Sequence, residues 1–523
     1  MSRGPSTDLF DLIKSLTKSE KRTFKLYASR HKIGEQNAYV ELFDAIDRQT
    51  EYCEESLIRD TPRFRKSDVR SMKSYLYDLI LRSLRFSLVE RSTAARLQYQ
   101  VDKAEILIGK GLYSQATRLL ARTRKLARKE GYLLKELEVL LLEQSLNVRL
   151  EKSDILDRHR ELQMQRMDVL HCLDVNSRYY DLFMRIHCLQ LKAGRIEEPA
   201  DHVEVQDIMQ DRYMLDESLA TTFFARMYYH EVHLRYCILV ENHSGALEHT
   251  RSKLDLLDGN EKQRELRWYE YVYTCGSFLT LSLRLGRYDE FEERMESLKC
   301  LRGNNLPCVA DLEVNIHYAE IAALIKLCRF AEAADAVQRA DAMLEQFRDR
   351  IEVSVVLSFY IGFALLMLQS GDISGAISWI ERILGFPMIE HYARFADEAR
   401  LLGLVAYYEF GDARLFESRM RSLYRALSRK EGKTEFERLL LRFFARIVTV
   451  VDNDEQKDAF IALNKELGAL QERLGHQAAM PQFDLLSWVE SKIQGTTFTE
   501  ILRAKLANSM AETERDELVA QPS

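Results

Sequence analysis

The chain of 523 residues has little proline and little glycine, seven and 21. That scarcity argues against collagen-like, linker-rich and many-turned β architectures. Its eight cysteines (Cys53, Cys172, Cys188, Cys237, Cys275, Cys300, Cys308 and Cys328) are dilute and contain no C-x-x-C pair. A disulfide framework or a Cys-based zinc site is therefore not expected. No apolar stretch follows a basic start. The opening instead carries Asp8, Asp11, Lys14, Lys18, Glu20, Lys21, Arg22 and Lys25. No signal peptide is expected, and a reducing cytoplasm is the expected location. Neither G-x-S-x-G nor H-E-x-x-H occurs.

Long hydrophobic runs are also scarce. One, residues 353–371 (VSVVLSFYIGFALLMLQSG), is 19 residues without a charge. Its length would suit a membrane span. Ser354, Ser358, Gln369 and Ser370 dilute it, and it falls in register with a repeat. The expectation is a helix buried by its neighbours and no membrane partner.

What is present is apolar and charged material, 46% and 30% of the chain, with 75 Lys+Arg against 81 Asp+Glu. One compact core rarely grows past about 250–300 residues, so several domains or a repeat array are expected. A repeat is visible. Gly111-Leu-Tyr113-Ser-Gln-Ala116, Gly286-Arg-Tyr288-Asp-Glu-Phe291, Gly371-Asp-Ile373-Ser-Gly-Ala376 and Gly411-Asp-Ala413-Arg-Leu-Phe416 share one pattern. Cys328-Arg-Phe330-Ala-Glu-Ala333 replaces the glycine. Gly194-Arg-Ile196 and Glu241-Asn-His243-Ser-Gly-Ala246 are weaker copies, and a faint one begins at Glu151. The interval is about 43 residues, which puts a ninth turn near Asp452-Asn453-Asp454. Glycine ends a helix because it takes the left-handed conformation cheaply. The residue two later tucks over that end. The residue five later lies in the next helix where two helices approach. Leu401, Leu402, Val405 and Tyr408 before one turn, and Ile377, Ile380, Ile383 and Leu384 after another, keep helical spacing.

Gly-x-Tyr-x-x-Ala after an apolar helix resembles the turn of tetratricopeptide (TPR) repeats. In Ala406-Tyr407-Tyr408-Glu409-Phe410-Gly411-Asp412 the likeness reaches back into the first helix. It covers roughly residues 95 to 475 and is strongest from about 270 to 430. The period is longer than the usual 34, and the early tryptophan of the TPR first helix is absent. The resemblance implies an all-α solenoid of about eight or nine TPR-like hairpins. No TPR peptide-carboxylate clamp is carried over.

The expected organisation is an N-terminal helical segment over 1–95, the repeat array over 96–480, a C-terminal capping helix over 481–510 and a frayed tail over 511–523. In the first segment, Thr7 or Asp8 caps a short helix, and Thr17-Lys-Ser-Glu20 is a capping box with Phe24 and Leu26 inward. Further helices are expected at about 38–49 and 67–91. The opening is similar to that of uncharacterised bacterial helical-repeat proteins, a resemblance that brings no function with it.

The chemistry is sparse. Gly109-Lys110-Gly111 has Ser114 where a third glycine belongs and no strand before it. Gly432-Lys433-Thr434 has Leu427 where a phosphate loop needs glycine. No cofactor is expected. His230 and His233 stand one turn apart, with Cys237 a turn further, yet no third ligand is evident and no metal is expected. Charge is more informative. Residues 1–130 hold 27 Lys+Arg against 17 Asp+Glu, and the remainder 48 against 64. Arg118, Arg122, Lys125 and Lys129 recur at helical spacing as a one-sided stripe of roughly 16 Å, widened by Arg124 and Arg128. Arg59, Arg63, Arg65, Lys66, Arg70 and Lys73 form a second basic cluster. The expected function is a non-enzymatic scaffold or adaptor that binds a protein or peptide partner in its groove. The alternative is a nucleic-acid-associated regulator that contacts phosphates through the basic first 130 residues.

Overall fold

The computed structural model describes residues 7–29, 38–50, 52–60, 66–149, 154–193, 199–301, 306–428, 435–448, 450, 452–474 and 483–508. Among the described residues every regular element is a helix and there is no strand. The chain divides into two compact units, Met1–Arg178 and Tyr179–Ser523.

The first unit opens with helices Asp8–Ser15, Lys18–Ser29, Ala38–Arg48, Glu54–Asp60 and Lys66–Arg91. Leu9, Ile13, Phe24, Phe43, Ile46, Leu76 and Ile80 form their common core. Thr17 and Glu20 form the expected capping box. The Thr17 N–H donates to Glu20 Oε2 at 2.8 Å, and the Glu20 N–H to Thr17 Oγ1 at 3.3 Å. Thr7 occupies the cap position of the first helix but makes no side-chain bond there. Leu26 was expected inward and is instead 58% exposed, because Phe24 and Ala28 already fill the inward face. Helices Thr93–Gly109, Tyr113–Lys129 and Leu133–Asn147 follow. Gly111 makes the expected left-handed turn at φ +74°. Gly131, φ +73°, makes another that the motif did not flag. Five residues after it stands Glu136 instead of a small residue, buried and ion-paired with Arg128 at 2.6 Å.

A 43-residue repeat requires a loop between residues 155 and 193. One unbroken helix, Ile155–Ala193, runs there instead, and the segment contains neither glycine nor proline to stop it. The boundary between the two units falls inside this helix. The turn copies at Glu151 and Gly194 lie outside the described residues.

The second unit continues with Pro199–Gln210 and then with pairs of helices joined by short turns. These are Phe223–Leu239 with His243–Asp258, Trp268–Arg284 with Tyr288–Cys300, Leu306–Lys326 with Ala333–Gln346, Val353–Ser370 with Ile373–Leu384, Ala393–Phe410 with Ala413–Ser428, and Glu435–Ile447 with Asn453–Leu474. The turn chemistry is as read. Gly286, Gly371 and Gly411 take φ of +71°, +89° and +78°. Where glycine is missing, Glu241 and Cys328 are forced to φ +59° and +53°. The residue five after each turn is buried: Ala246, Phe291, Ala333, Ala376 and Phe416. Asp372 and Asn242 then cap the second helix, each accepting the N–H three residues on at 2.9 Å.

Val353–Ser370 is the one described helix long and apolar enough to cross a membrane. Two thirds of it (67%) is buried against the rest of the unit. Among the described residues, two large apolar clusters lie in this unit. One runs from Ala310 to Val489 and the other from Met227 to Ala323. Helix Leu306–Lys326 serves both. Ala310, Ile321 and Leu324 face the first cluster, and Leu312, Ala319 and Ala323 face the second.

The expected C-terminal helix over 481–510 is interrupted. It stops at Gln494, Gly495 turns at φ +70°, and helical structure resumes over 498–508. A second capping box, Thr497 with Glu500, starts that piece. Trp488, fully buried on Leu485–Gln494, docks this end onto Tyr408, Phe444 and Phe460.

Candidate functional site

Three places carry chemistry beyond packing, one in the first unit and two in the second. In the first unit, helix Tyr113–Lys129 buries Ala116, Leu120, Thr123 and Ala127, which turns Arg118, Arg122, Lys125 and Lys129 to solvent. No ion pair involves these four among the described residues. Arg124 does not widen the stripe. It is 9% exposed and pairs with buried Glu143 at 2.6 Å, and Glu143 also meets Arg158 at 3.1 Å. Burial pushes the Glu143 carboxyl up, against the opposing pull of Arg124 and Arg158. Arg128 is tied to Glu136, although half its side chain stays exposed. Helical spacing could not separate these inward and outward cations, because the charges that bury Arg124 come from other helices. In the second basic cluster, part-buried Lys73 donates to Tyr52 and Glu54, at 2.6 and 3.1 Å. Arg59, Arg63, Arg65, Lys66 and Arg70 lie outside the described side chains.

In the second unit, His230 and His233 sit on helix Phe223–Leu239 beside His249 of His243–Asp258. The Nδ1 atoms of His230 and His249 are 3.2 Å apart, and the rings of His233 and His249 stack at 4.7 Å. His233 Nε2 lies 3.2 Å from the Met214 carbonyl, and His230 Nε2 lies 3.4 Å from Glu217. Burial and the neighbouring imidazoles lower His230 and His249 to about 4, so all three rings are neutral near pH 7. One Nδ1–H therefore donates to the other Nδ1. Cys237, the candidate third ligand, instead packs near Gly245 in the turn. Among the described residues no group of three or more His, Cys, Asp or Glu side chains could hold a metal ion.

Next to the histidines runs a buried row of charge. Burial pushes the Glu231 carboxyl up, but Lys253 and Arg235 outweigh it and hold the group below its usual range. Arg235 donates to Glu231 at 2.7 Å and to Gln190 at 2.5 Å, and lies 3.0 Å from His187. Every member is partnered, so the row fixes one packing of the helices around it.

A third feature was missed in the sequence. Aromatic side chains recur near the start of successive first helices. Tyr228 touches Tyr180, Phe183 and Phe224, with ring centres at 5.6, 5.0 and 4.4 Å. Arg267 covers Phe224 at 5.3 Å and pairs with Glu270. Tyr269 and Tyr273 follow on Trp268–Arg284. They are 65% and 49% exposed, and their rings stack at 6.4 Å. Burial pushes Tyr228 up to about 12, with Glu270 adding to the shift. The sequence signal was an aromatic pair spaced i, i+4 in two consecutive first helices, Phe224/Tyr228 and Tyr269/Tyr273.

No protein-family model, no curated protein and no solved structure matches the chain.

Proposed function

We propose that this chain is a non-enzymatic protein-binding scaffold whose helix pairs stack as a TPR-like solenoid in the cytoplasm. The aromatic band on the first helices carries this reading. Aromatic rings on successive first helices, half-buried at Phe224 and Tyr228 and exposed at Tyr269 and Tyr273, offer contact area at small entropic cost, which is how repeat proteins hold extended or helical segments of partners. The left-handed turns and the buried residue five positions later support the stacking. The test places a photo-crosslinking residue at Tyr273 and, as control, at exposed Glu292 of the full chain. Nuclease-resistant protein adducts at 273 and none at 292 are expected. A turnover activity that a single polar substitution abolishes would overturn the reading.

A second reading, contact with nucleic-acid phosphates through the basic first 130 residues, is favoured by one observation. Arg118, Arg122, Lys125 and Lys129 are exposed without an ion pair among the described residues, while neighbouring Arg124 and Arg128 are paired. Phosphate contacts make log affinity fall with log salt, at about 0.9 per phosphate on duplex DNA. Arg122→Glu with Lys125→Glu should flatten that slope. Binding that ignores salt removes this reading.

A further inference from the structure

Tyr269 and Tyr273 stand one turn apart on Trp268–Arg284, and Gly276 continues the same face. At Gly276 the neighbouring helix Leu306–Lys326 comes so close that an added Cβ would collide with Asn315 Oδ1. Asp311 is one turn before Asn315, on the same side of its helix. Glu352 occupies the cap position of Val353–Ser370. The Tyr269 phenol is pushed up by burial first and then by Asp311, Glu352 and Tyr273, which puts both carboxylates within electrostatic reach of one ring. Burial also raises the Asp311 carboxyl. Among the described residues neither carboxylate has a cationic partner. Glu352 accepts only a long bond from the Ser354 hydroxyl, at 3.5 Å.

Three other acids of the unit that lie near aromatic rings are paired: Asp258 with Arg294, Glu381 with Arg419, and Glu409 with Lys492. The chain also contains the filled version of the same arrangement. The Arg382 guanidinium lies over Tyr360 at 4.6 Å and Trp379 at 4.9 Å, with Asp341 at 3.2 Å. Two ring faces and a carboxylate hold one cation there. Tyr269 and Tyr273 likewise offer two stacked rings, with Asp311 on the adjoining helix and Glu352 within electrostatic reach.

We propose that the face formed by Tyr269, Tyr273, Asp311 and Glu352 takes an arginine- or lysine-bearing segment of a partner protein, its cation over the tyrosine rings and against the two carboxylates. This rests on the scaffold reading and gives the partner its chemistry. A cation over an exposed ring gains a modest energy that grows as water leaves, and the flanking carboxylates add charge complementarity.

The test uses the full chain and fluorescein-labelled peptides, one alternating Arg and Ser, one Lys and Ser, one Glu and Ser, read by anisotropy. The Arg/Ser and Lys/Ser probes should bind and the Glu/Ser probe should not. Tyr269→Ser with Tyr273→Ser should weaken binding about tenfold, and Tyr269→Phe should keep it. Asp311→Asn with Glu352→Gln should weaken it further, and Glu292→Gln should leave it unchanged. Equal binding by parent and tyrosine variants overturns the proposal, because it reduces the effect to the acid excess of residues 131–523. Self-association of the parent that Arg122→Glu abolishes gives the face to a second copy and also overturns it. Adducts at Tyr273 without cationic-probe binding overturn this chemistry and keep the scaffold. Loss of both removes both.

Discussion

The indole N–H of Trp488 donates to the carboxylate of Glu409 at 2.6 Å, across 79 residues of chain. The same carboxylate holds Lys492 at 2.6 Å. Glu409 thus holds two side chains one turn apart on helix Leu485–Gln494, while the Trp488 ring fills the space between Tyr408, Phe444 and Phe460. Trp488→Ala should cost about 3–5 kcal/mol, and Glu409→Ala about 2–3 kcal/mol through the orphaned indole and ammonium. Urea unfolding followed by circular dichroism measures both. A Trp488→Ala protein with an unchanged midpoint would refute the anchoring role.

Two arginines on one helix should behave oppositely. Arg124→Ala leaves Glu143 buried with Arg158 as its remaining partner and should cost about 2–4 kcal/mol. Arg122→Ala, exposed and without an ion pair among the described residues, should stay within about 0.5 kcal/mol. The comparison needs only two unfolding curves.

The imidazole cluster makes the second unit acid-sensitive. His230 and His249 titrate at about 4 in the folded chain against 6.5 for the free group. Their folded values are depressed, so the unfolded chain holds more protons between those two pH values. Their contribution is fully present above about 6.5 and drains as pH falls toward 4. Thermal unfolding at about pH 4.5 and pH 7 tests it. His230→Gln with His249→Gln should flatten the loss by about 2–4 kcal/mol relative to the parent.

The turns offer a substitution that should stabilise. Glu241 is held at φ +59°, where its Cβ is crowded. Glu241→Gly should gain about 0.5–1 kcal/mol, and Gly371→Ala at φ +89° should lose about 1 kcal/mol or more. Differential scanning calorimetry on the two variants gives the signs.

The sequence made the turns legible because their chemistry is local. A left-handed glycine and a buried residue five positions later need no distant information, so Gly286, Gly371 and Gly411 could be placed from letters alone. Gly131 escaped because its partner position holds Glu136, and a buried carboxylate is invisible until Arg128 is folded against it. The 155–193 helix escaped because a regular period suggested a break that no breaker residue supplies. Leu26 faces outward although it is apolar, because hydrophobicity alone does not decide which side of a short helix packs. In the site, exposure of Arg118, Arg122, Lys125 and Lys129 followed from helical spacing. The inward turn of Arg124 depended on Glu143 and Arg158, which arrive from other helices. The aromatic pairs were readable as i, i+4 spacings, but the cluster of Tyr228 with Tyr180 and Phe183 needed the neighbouring helix.

Helix Leu306–Lys326 contributes a wall to each of two hydrophobic interiors. Neither interior can be solvated without exposing one side of this helix, and neither melts the other unless the helix itself unwinds. Amide exchange should therefore sort the second unit into two blocks with separate opening rates, and the amides of 306–326 should follow the slower block. A cavity cut at Leu324 would speed the block that ends at Val489. A bulkier residue at Ala319 would overpack and disturb only the block that begins at Met227.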